Sequence, residues 1–317
     1  MSIEGDREIA YQLCGRNLML NQEYYDIADL FSEKDIRLIG LKGISLIQEV
    51  IDPAERYIGD IDILVRDWDV PKAVELLREL GYSGSETYFN PKDPFSIFLN
   101  SLTFTKSYDS TYYIHLHWHI LNTTLPLFMY NIDMEDIWSE AESRVIGDRE
   151  FLFLSPAHRL VYFAFHAFNH SYRKKSLLDD ILRLICFYGD RLDWDTVVET
   201  AFKWGANVPL YIGLALVQKI YGADTLQGVV GRLMPLKGLK KADKIIDAIG
   251  KGSPGTHNMV LPVYLNMAGG LRNEIKFLVL SVFPPYRVLW RVYSLRSKMP
   301  AAVYYFLRFF YGLKSLS

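Results

Sequence analysis

Two aspartates, Asp60 and Asp62, stand one residue apart in the apolar run GDIDILV, residues 59–65. In a β-strand, residues i and i+2 project from the same face, about 6.6 Å apart along the chain. Two carboxylates at that spacing can converge on one divalent cation, or hold a pair of cations about 4 Å apart. Because a buried, unpaired carboxylate is costly, the pattern predicts either a bound cation or a strand end in water.

A candidate anion-binding turn precedes the aspartates. The run LKGIS, residues 41–45, joins a short predicted strand (37–42) to a predicted helix (43–51). A helix N-terminus presents N–H groups that bind anions, and Gly43 lets a phosphate approach the backbone closely. Lys42 adds a positive charge and Ser45 a hydroxyl. No Walker-type loop is present, and taken alone Lys42-Gly43 is more typical of an ordinary turn.

Composition indicates a globular protein. The 317 residues are enough for two domains, and with half of them apolar and 14% aromatic, long disordered stretches are excluded. Cys14 and Cys186 are too few for a disulfide framework. The N-terminus has no apolar signal core, and no apolar run is long enough to cross a membrane. These features predict a soluble cytoplasmic protein without a transmembrane segment.

The charge is uneven along the chain. Residues 271–317 hold eight Lys/Arg and one acid, a net charge of +7, which leaves 27 basic and 36 acidic residues and a net charge of −9 for residues 1–270. This basic tail is also rich in Phe, Tyr, Trp and Leu. The composition is typical of a peripheral helix on the inner face of a membrane, a polyanion groove or a protein contact. Packing of the tail on its own acidic body explains it equally well.

Periodicity predicts the elements that carry the motifs. Residues 8–31 and 67–82 have helical spacing, the second with Asp69 at the N-cap. Alternating β-branched and aromatic residues predict an antiparallel pair, 101–108 with 111–120, and a hairpin within 143–154. From Ser155, at an N-cap before Pro156, the period becomes helical.

We therefore predict an α+β fold with a boundary near Leu154. Residues 1–154 would form a small mixed β-sheet flanked by helices, with an N-terminal helix. Residues 155–317 would form a helical domain that ends in the basic tail.

The blocks LKGISL, DPAERYIGDIDILV and LLRELGY together resemble the uncharacterised nucleotidyltransferase-like family often found beside bacterial polysaccharide genes. That family is part of the DNA polymerase beta-type nucleotidyltransferase superfamily. The resemblance extends over roughly residues 35–220. Its weaker matches are His117-Trp118, the pair His166 and His170, and Leu192–Asp195.

The resemblance implies transfer of a nucleoside monophosphate, from a nucleoside triphosphate such as ATP, to an unidentified acceptor hydroxyl. Asp60 and Asp62 would bind Mg²⁺ or Mn²⁺, and Arg56 would neutralise phosphate charge during catalysis. Alternatively, Arg56 only pairs with Glu55 or Asp52. The nucleotide-binding residues would be Lys42, Gly43, Ser45 and His117.

One position departs from the family pattern. The superfamily usually offers a third carboxylate from a later strand, and His115 stands there, in YIHLHW. His115, His117 and His119 alternate and therefore share one strand face. As a metal ligand, His115 would favour Mn²⁺ or Zn²⁺ over Mg²⁺. Alternatively, Asp109 supplies the missing carboxylate, or catalysis is weakened or lost.

A histidine pair and the acids after it have two interpretations. His166 and His170 are four residues apart and share a helix face. With Asp179 and Asp180 of the next helix, they either line a cleft against the sheet or make a polar contact between helices.

Three functions compete at this stage. The first is a metal-dependent nucleotidyltransferase. The second is a catalytically weakened protein of the same fold that binds a nucleotide or a partner. The third is a D-x-D glycosyltransferase, which is disfavoured because only one predicted strand precedes Asp60 and such enzymes need a nucleotide-binding βαβ unit there.

Overall fold

The computed structural model of the protein describes residues 3–84, 100–107, 111–121, 130–234, 239–256, 259–263 and 271–283, with residues 303, 305 and 306. Asp109 and most of the basic tail lie outside the described residues. The third-carboxylate alternative and the role of the tail therefore stay predictions.

A mixed sheet is followed by a long run of helices. Strands β1–β7 span Ile39–Leu41, Ile61–Leu64, Ser83–Gly84, Ser101–Ser107, Thr111–His117, Glu142–Ile146 and Arg149–Phe153. Helices α1–α4 span Ile3–Glu33, Lys42–Glu49, Val70–Glu79 and Met134–Ser139. Helices α5–α11 span Pro156–Asn169, Ser176–Tyr188, Trp194–Trp204, Asn207–Tyr221, Gln227–Leu233, Leu239–Gly250 and Leu271–Val282. This order confirms the predicted α+β fold class.

The described strands form one seven-stranded sheet in the order β3-β4-β5-β2-β1-β7-β6. Strand β2 lies at its centre, antiparallel to β1 and parallel to β5. In the β2–β5 register, Asp62 is opposite His115 and Leu64 is opposite His117. Because side chains alternate along each strand and opposed residues share a face, the aspartate and both histidines project from one face of the sheet.

Helix α5 is joined to α2 by a buried arginine. Arg159 is 1% exposed, and it donates hydrogen bonds to Ser45 O at 2.6 Å, Glu49 Oε2 at 2.8 Å and the Tyr188 hydroxyl at 3.1 Å. A buried guanidinium requires such partners because an unpaired charge in the interior is costly. The contact links the first helix after the sheet to α2.

Most predicted elements are confirmed, with shifted ends. The N-terminal helix, the β4–β5 pair and the β6–β7 hairpin all form. The N-cap side chains predicted at Asp69 and Ser155 make no capping hydrogen bond, although both residues occupy the N-cap position. Helix α4 was not predicted, although Asp133 caps it by accepting a hydrogen bond from the N–H of Glu135 at 2.9 Å.

No helix in the described part of the chain is both long enough and apolar enough to span a membrane.

Candidate functional site

Asp62 lies in the middle of the sheet and is almost completely buried, with 1% of its side chain exposed. Three nitrogen atoms surround its Oδ1 atom: Lys42 Nζ at 2.6 Å, His117 Nε2 at 2.9 Å and His115 Nδ1 at 3.3 Å. Burial by itself raises the pKa of Asp62. The Lys42 ammonium and the two histidine hydrogen bonds more than offset this effect, and the pKa lies well below its ordinary value.

Asp60 precedes β2 and is more open, with 40% of its side chain exposed. Its Oδ2 atom lies 3.3 Å from His115 Nδ1, the same distance that separates that nitrogen from Asp62 Oδ1. His115 therefore stands between the two carboxylates. Partial burial and the neighbouring charge of Asp62 raise the pKa of Asp60.

His117 is 1% exposed and its pKa is lowered, chiefly by burial, so the imidazole is neutral at neutral pH. Since a carboxylate only accepts hydrogen bonds, Nε2 carries the proton that points at Asp62. Its Nδ1 atom has no hydrogen-bond partner among the described residues. The sequence predicted His117 as a nucleotide-binding residue. The structure brings it against the carboxylate of Asp62, and the nucleotide-binding role stays a prediction.

One group of described residues has the composition and closeness of a metal site. One ligand atom from each of Asp62, His115 and His117 lies within 4.8 Å of the others. Neutral imidazole and carboxylate together suit first-row transition metals, so these residues fit a divalent cation. Of the sequence-predicted ligands, Asp62 and His115 belong to this group and Asp60 lies beside it, next to His115, while His117 is an additional member.

Alternation along the strand predicted that His119 shares a face with His115 and His117, and the structure does not confirm this. Strand β5 ends at His117, so the strand face does not continue to His119. There Nδ1 accepts a hydrogen bond from the N–H of Leu121 at 3.0 Å. Burial, with a smaller effect of His117, lowers the pKa of His119 to about 4.

The predicted anion-binding turn lies beside Asp62. Lys42 begins α2 with a left-handed backbone (φ +47°), an uncommon conformation for lysine, and directs its ammonium to the carboxylate. A Cβ added at Gly43 would lie 3.0 Å from Arg56 Nη1, so glycine here permits close approach of the arginine. The hydroxyl of Ser45 is buried and donates to Lys42 O at 2.8 Å, which leaves it inside the turn.

Arg56 does not pair with the nearby acids that its sequence position suggested. Its Nε and Nη2 groups donate to the two carboxylate oxygens of Asp180, each at 2.7 Å. Asp180 is on α6 and 1% exposed, and Glu55 instead contacts Arg183 at 3.3 Å. This bidentate pair holds a guanidinium beside Gly43.

Helix α5 and its C-cap residue His170 bring three polar rings to the same region. The ring centroids of Tyr162 and His166 are 6.4 Å apart, and those of His166 and His170 are 4.5 Å apart. Burial, and then the charge of Lys42, lowers the pKa of both histidines. Burial, and then the charges of the two site aspartates, raises the pKa of Tyr162, whose hydroxyl has no described partner. Lys42 and the two site aspartates are thus among the charges that act on these rings, as the cleft-lining interpretation of the histidine pair expects, and that interpretation stays a prediction.

Sequence reasoning missed several of these residues. Tyr162 and Arg159 lie on the helical pattern that begins at Ser155, and nothing in that pattern separates them from other buried residues. The sequence pattern grouped Asp179 with Asp180 beside the histidine pair. In the structure Asp179 instead accepts a short hydrogen bond from the Tyr221 hydroxyl.

One comparison with known proteins gives a match. A family model described as uncharacterised nucleotidyltransferase matches residues 7–222, which is more than half of the chain. No curated protein matches the chain.

The opposite pKa shifts of the two aspartates lead to a stability prediction. We expect Asp62→Asn to lower the free energy of unfolding of the metal-free protein by about 3 kcal/mol at pH 7, because Lys42 would lose its buried partner. The stabilisation by Asp62 is present above its unfolded pKa of about 3.9 and is lost as the pH falls through its lower folded value. Urea unfolding would be measured with a metal chelator present, from neutral pH down to about pH 3. The difference in the free energy of unfolding between wild type and Asp62→Asn should become smaller as the pH falls.

Asp60→Asn is the matched control. Because the pKa of Asp60 is raised, its charged form is disfavoured in the folded protein, and a neutral amide should leave the stability at pH 7 unchanged or increase it. Equal destabilisation by the two substitutions would contradict the assigned pairing of Asp62.

Proposed function

Because the chain belongs to the family of uncharacterised nucleotidyltransferases, we propose that it transfers a nucleoside monophosphate from a nucleoside triphosphate to an acceptor hydroxyl, with a divalent cation as cofactor. The acceptor oxygen bonds to the α-phosphorus while the bond from that phosphorus to the β-phosphate oxygen breaks. Pyrophosphate leaves, and the hydroxyl proton is released. The convergence of Lys42, His115 and His117 on Asp62 carries this proposal.

Asp62, His115 and His117 are the residues proposed to hold the cation, with Asp60 next to His115 at the open side of the site. A divalent cation neutralises charge on the transferred phosphate and on the leaving pyrophosphate. With two imidazoles in the group, the site should take Mn²⁺ or Zn²⁺ more readily than Mg²⁺, which prefers oxygen ligands.

Lys42 and Arg56 are proposed to bind the phosphates. Lys42 begins α2 and its ammonium contacts Asp62, while the Arg56 guanidinium lies against Gly43, the next residue of the same turn. Arg56 is held by Asp180 through two of its nitrogens, so its orientation is set before a nucleotide arrives. Lys42 would exchange Asp62 Oδ1 for a phosphate oxygen, since an ammonium and a bound cation repel each other at the same carboxylate oxygen.

The decisive experiment is to incubate the protein with each nucleoside triphosphate, Mg²⁺ or Mn²⁺, and candidate acceptors, and to measure pyrophosphate release. Metal-dependent release that Asp62→Asn abolishes would support the transferase. Tight metal-dependent nucleotide binding without release would favour the alternative function, a binding protein with weakened catalysis, which the histidine at position 115 motivates. Failure to bind any nucleotide would contradict the transferase and the nucleotide-binding form of the alternative, and would leave partner binding as the function.

Lys42→Met should change two affinities in opposite directions. The affinity for a nucleoside triphosphate should fall more than that for the nucleoside, because the lost interaction is with phosphate. The affinity for Mn²⁺ without nucleotide should rise, because a competing cation is removed from Asp62. Calorimetric titrations of metal and nucleotide separately would measure both changes.

Lys72→Met is the matched control for this substitution. Lys72 lies on the surface of α3 and donates only to the backbone oxygen of Lys34 in the described contacts. It should change neither affinity. If Lys42→Met weakened binding of nucleoside and triphosphate equally and left Mn²⁺ binding unchanged, the role proposed for Lys42 would be wrong.

His115→Asp tests the choice of metal. Replacing the imidazole by a carboxylate should shift the ratio of Mg²⁺ to Mn²⁺ affinity toward Mg²⁺, on the order of tenfold, because the ligand set becomes richer in oxygen. Tyr113→Asp, two residues earlier on β5, adds the same charge at an exposed position and should leave the ratio unchanged. The idea fails if both variants keep the wild-type metal preference.

A further inference from the structure

The connection from α2 to β2 contains no helix or strand, although it carries Arg56. Its backbone is held by a residue of α1, far earlier in the chain. Asn17 is completely buried, and its Nδ2 donates to the carbonyl oxygens of Pro53 and Arg56, each at 2.6 Å. Its Oδ1 accepts a hydrogen bond from the N–H of Ile58 at 3.3 Å.

The three bonds use both donors of the Asn17 amide and its acceptor. They also define the orientation of the amide, since the reversed orientation would set its oxygen against two carbonyl oxygens. Any other backbone conformation of the connection would leave buried polar groups of the amide or the backbone unpaired. The Asn17 amide therefore stabilises one conformation of the connection.

The bonds made by Asn17 lie on both sides of Arg56. They hold the carbonyl of Arg56 itself, while the side chain of the same residue is held by Asp180 and lies against Gly43. A second contact from α1 follows: Arg16 Nη2 donates to Gly59 O at 3.4 Å, one residue before the first site aspartate. Helix α1 therefore determines where the connection lies relative to the turn at Gly43.

We propose that Asn17 is a positioning residue of the nucleotide site, which places the Arg56 guanidinium for contact with phosphate through the backbone of residues 53–58. The inference rests on the proposed function. In the described contacts, Asn17 touches none of the side chains proposed to bind cation or phosphate, so it acts through Arg56. A purely structural role would instead affect the whole fold.

The test is a double-mutant cycle on ATP binding in the presence of Mn²⁺. Asn17→Ala should weaken ATP binding about tenfold, a loss of about 1.4 kcal/mol. Asn17→Ser, which keeps a hydroxyl and one hydrogen bond, should have a smaller effect. Combined with Arg56→Gln, which removes the charge but keeps an amide donor for Asp180, the Asn17→Ala change should add almost nothing, because its effect depends on the guanidinium.

Asn21→Ala is the matched control, since it removes an amide from the next turn of α1 whose oxygen has no partner among the described residues. It should leave ATP binding unchanged. Hydrogen exchange provides a second measurement: in Asn17→Ala the amide of Ile58 should exchange faster, while the amides of α8 should not.

Three outcomes would overturn the inference, because each indicates a general structural role. They are additive losses of ATP binding in the double mutant, hydrogen exchange accelerated throughout the protein, and failure of both Asn17 variants to fold. These outcomes, with ATP still bound by the wild-type protein, would leave the proposed function intact. Absence of ATP binding by the wild-type protein would overturn the proposed function, and this inference with it.

Discussion

One buried oxygen atom, Oδ1 of Asp62, is the point on which the site depends. A carboxylate taken out of water at the centre of a sheet costs several kcal/mol unless donors compensate it. The compensation comes from two elements, Lys42 at the start of α2 and the histidines His115 and His117 of β5. Strand β2 can therefore carry this residue only where it lies beside strand β5 and helix α2, which supply those donors.

The same burial explains why the arrangement suits phosphate chemistry. Charges that are partly removed from water interact more strongly than they do on an open surface. The ammonium and the carboxylate are in contact, and a neutral histidine of α5 lies close enough for the ammonium to lower its pKa. A polyanionic ligand and a cation entering together would redistribute these pairings without adding a large net charge to the interior.

Helices that follow the sheet in sequence complete the site. Asp180 of α6 orients Arg56, and Arg159 of α5 is bonded to Ser45 O in the turn that begins α2. Both contacts cross the boundary predicted near Leu154. The sheet unit alone would leave the Arg56 guanidinium without its carboxylate and Ser45 O without its hydrogen bond from Arg159, so the helical region takes part in forming the site.

Local sequence was sufficient to predict the D-x-D strand, the Lys42-Gly43 turn at a helix start and the pairing of β4 with β5. These features depend on periodicity and turn chemistry within a few residues. The family resemblance placed His115 at the position of a third carboxylate beside the aspartates, and alternation along the strand indicated that it shares a face with His117. The family resemblance, carried by the same local blocks, is confirmed by the match over residues 7–222.

Only the tertiary structure decided which residues meet. The partner of Arg56 is Asp180, 124 residues away, whereas sequence proximity suggested Glu55 or Asp52. Asn17 on α1 was indistinguishable from any other polar helix residue until the fold placed it against the connection before β2. Periodicity determines the face on which a side chain lies, but distances between elements are set by packing of the whole core, which no local pattern contains.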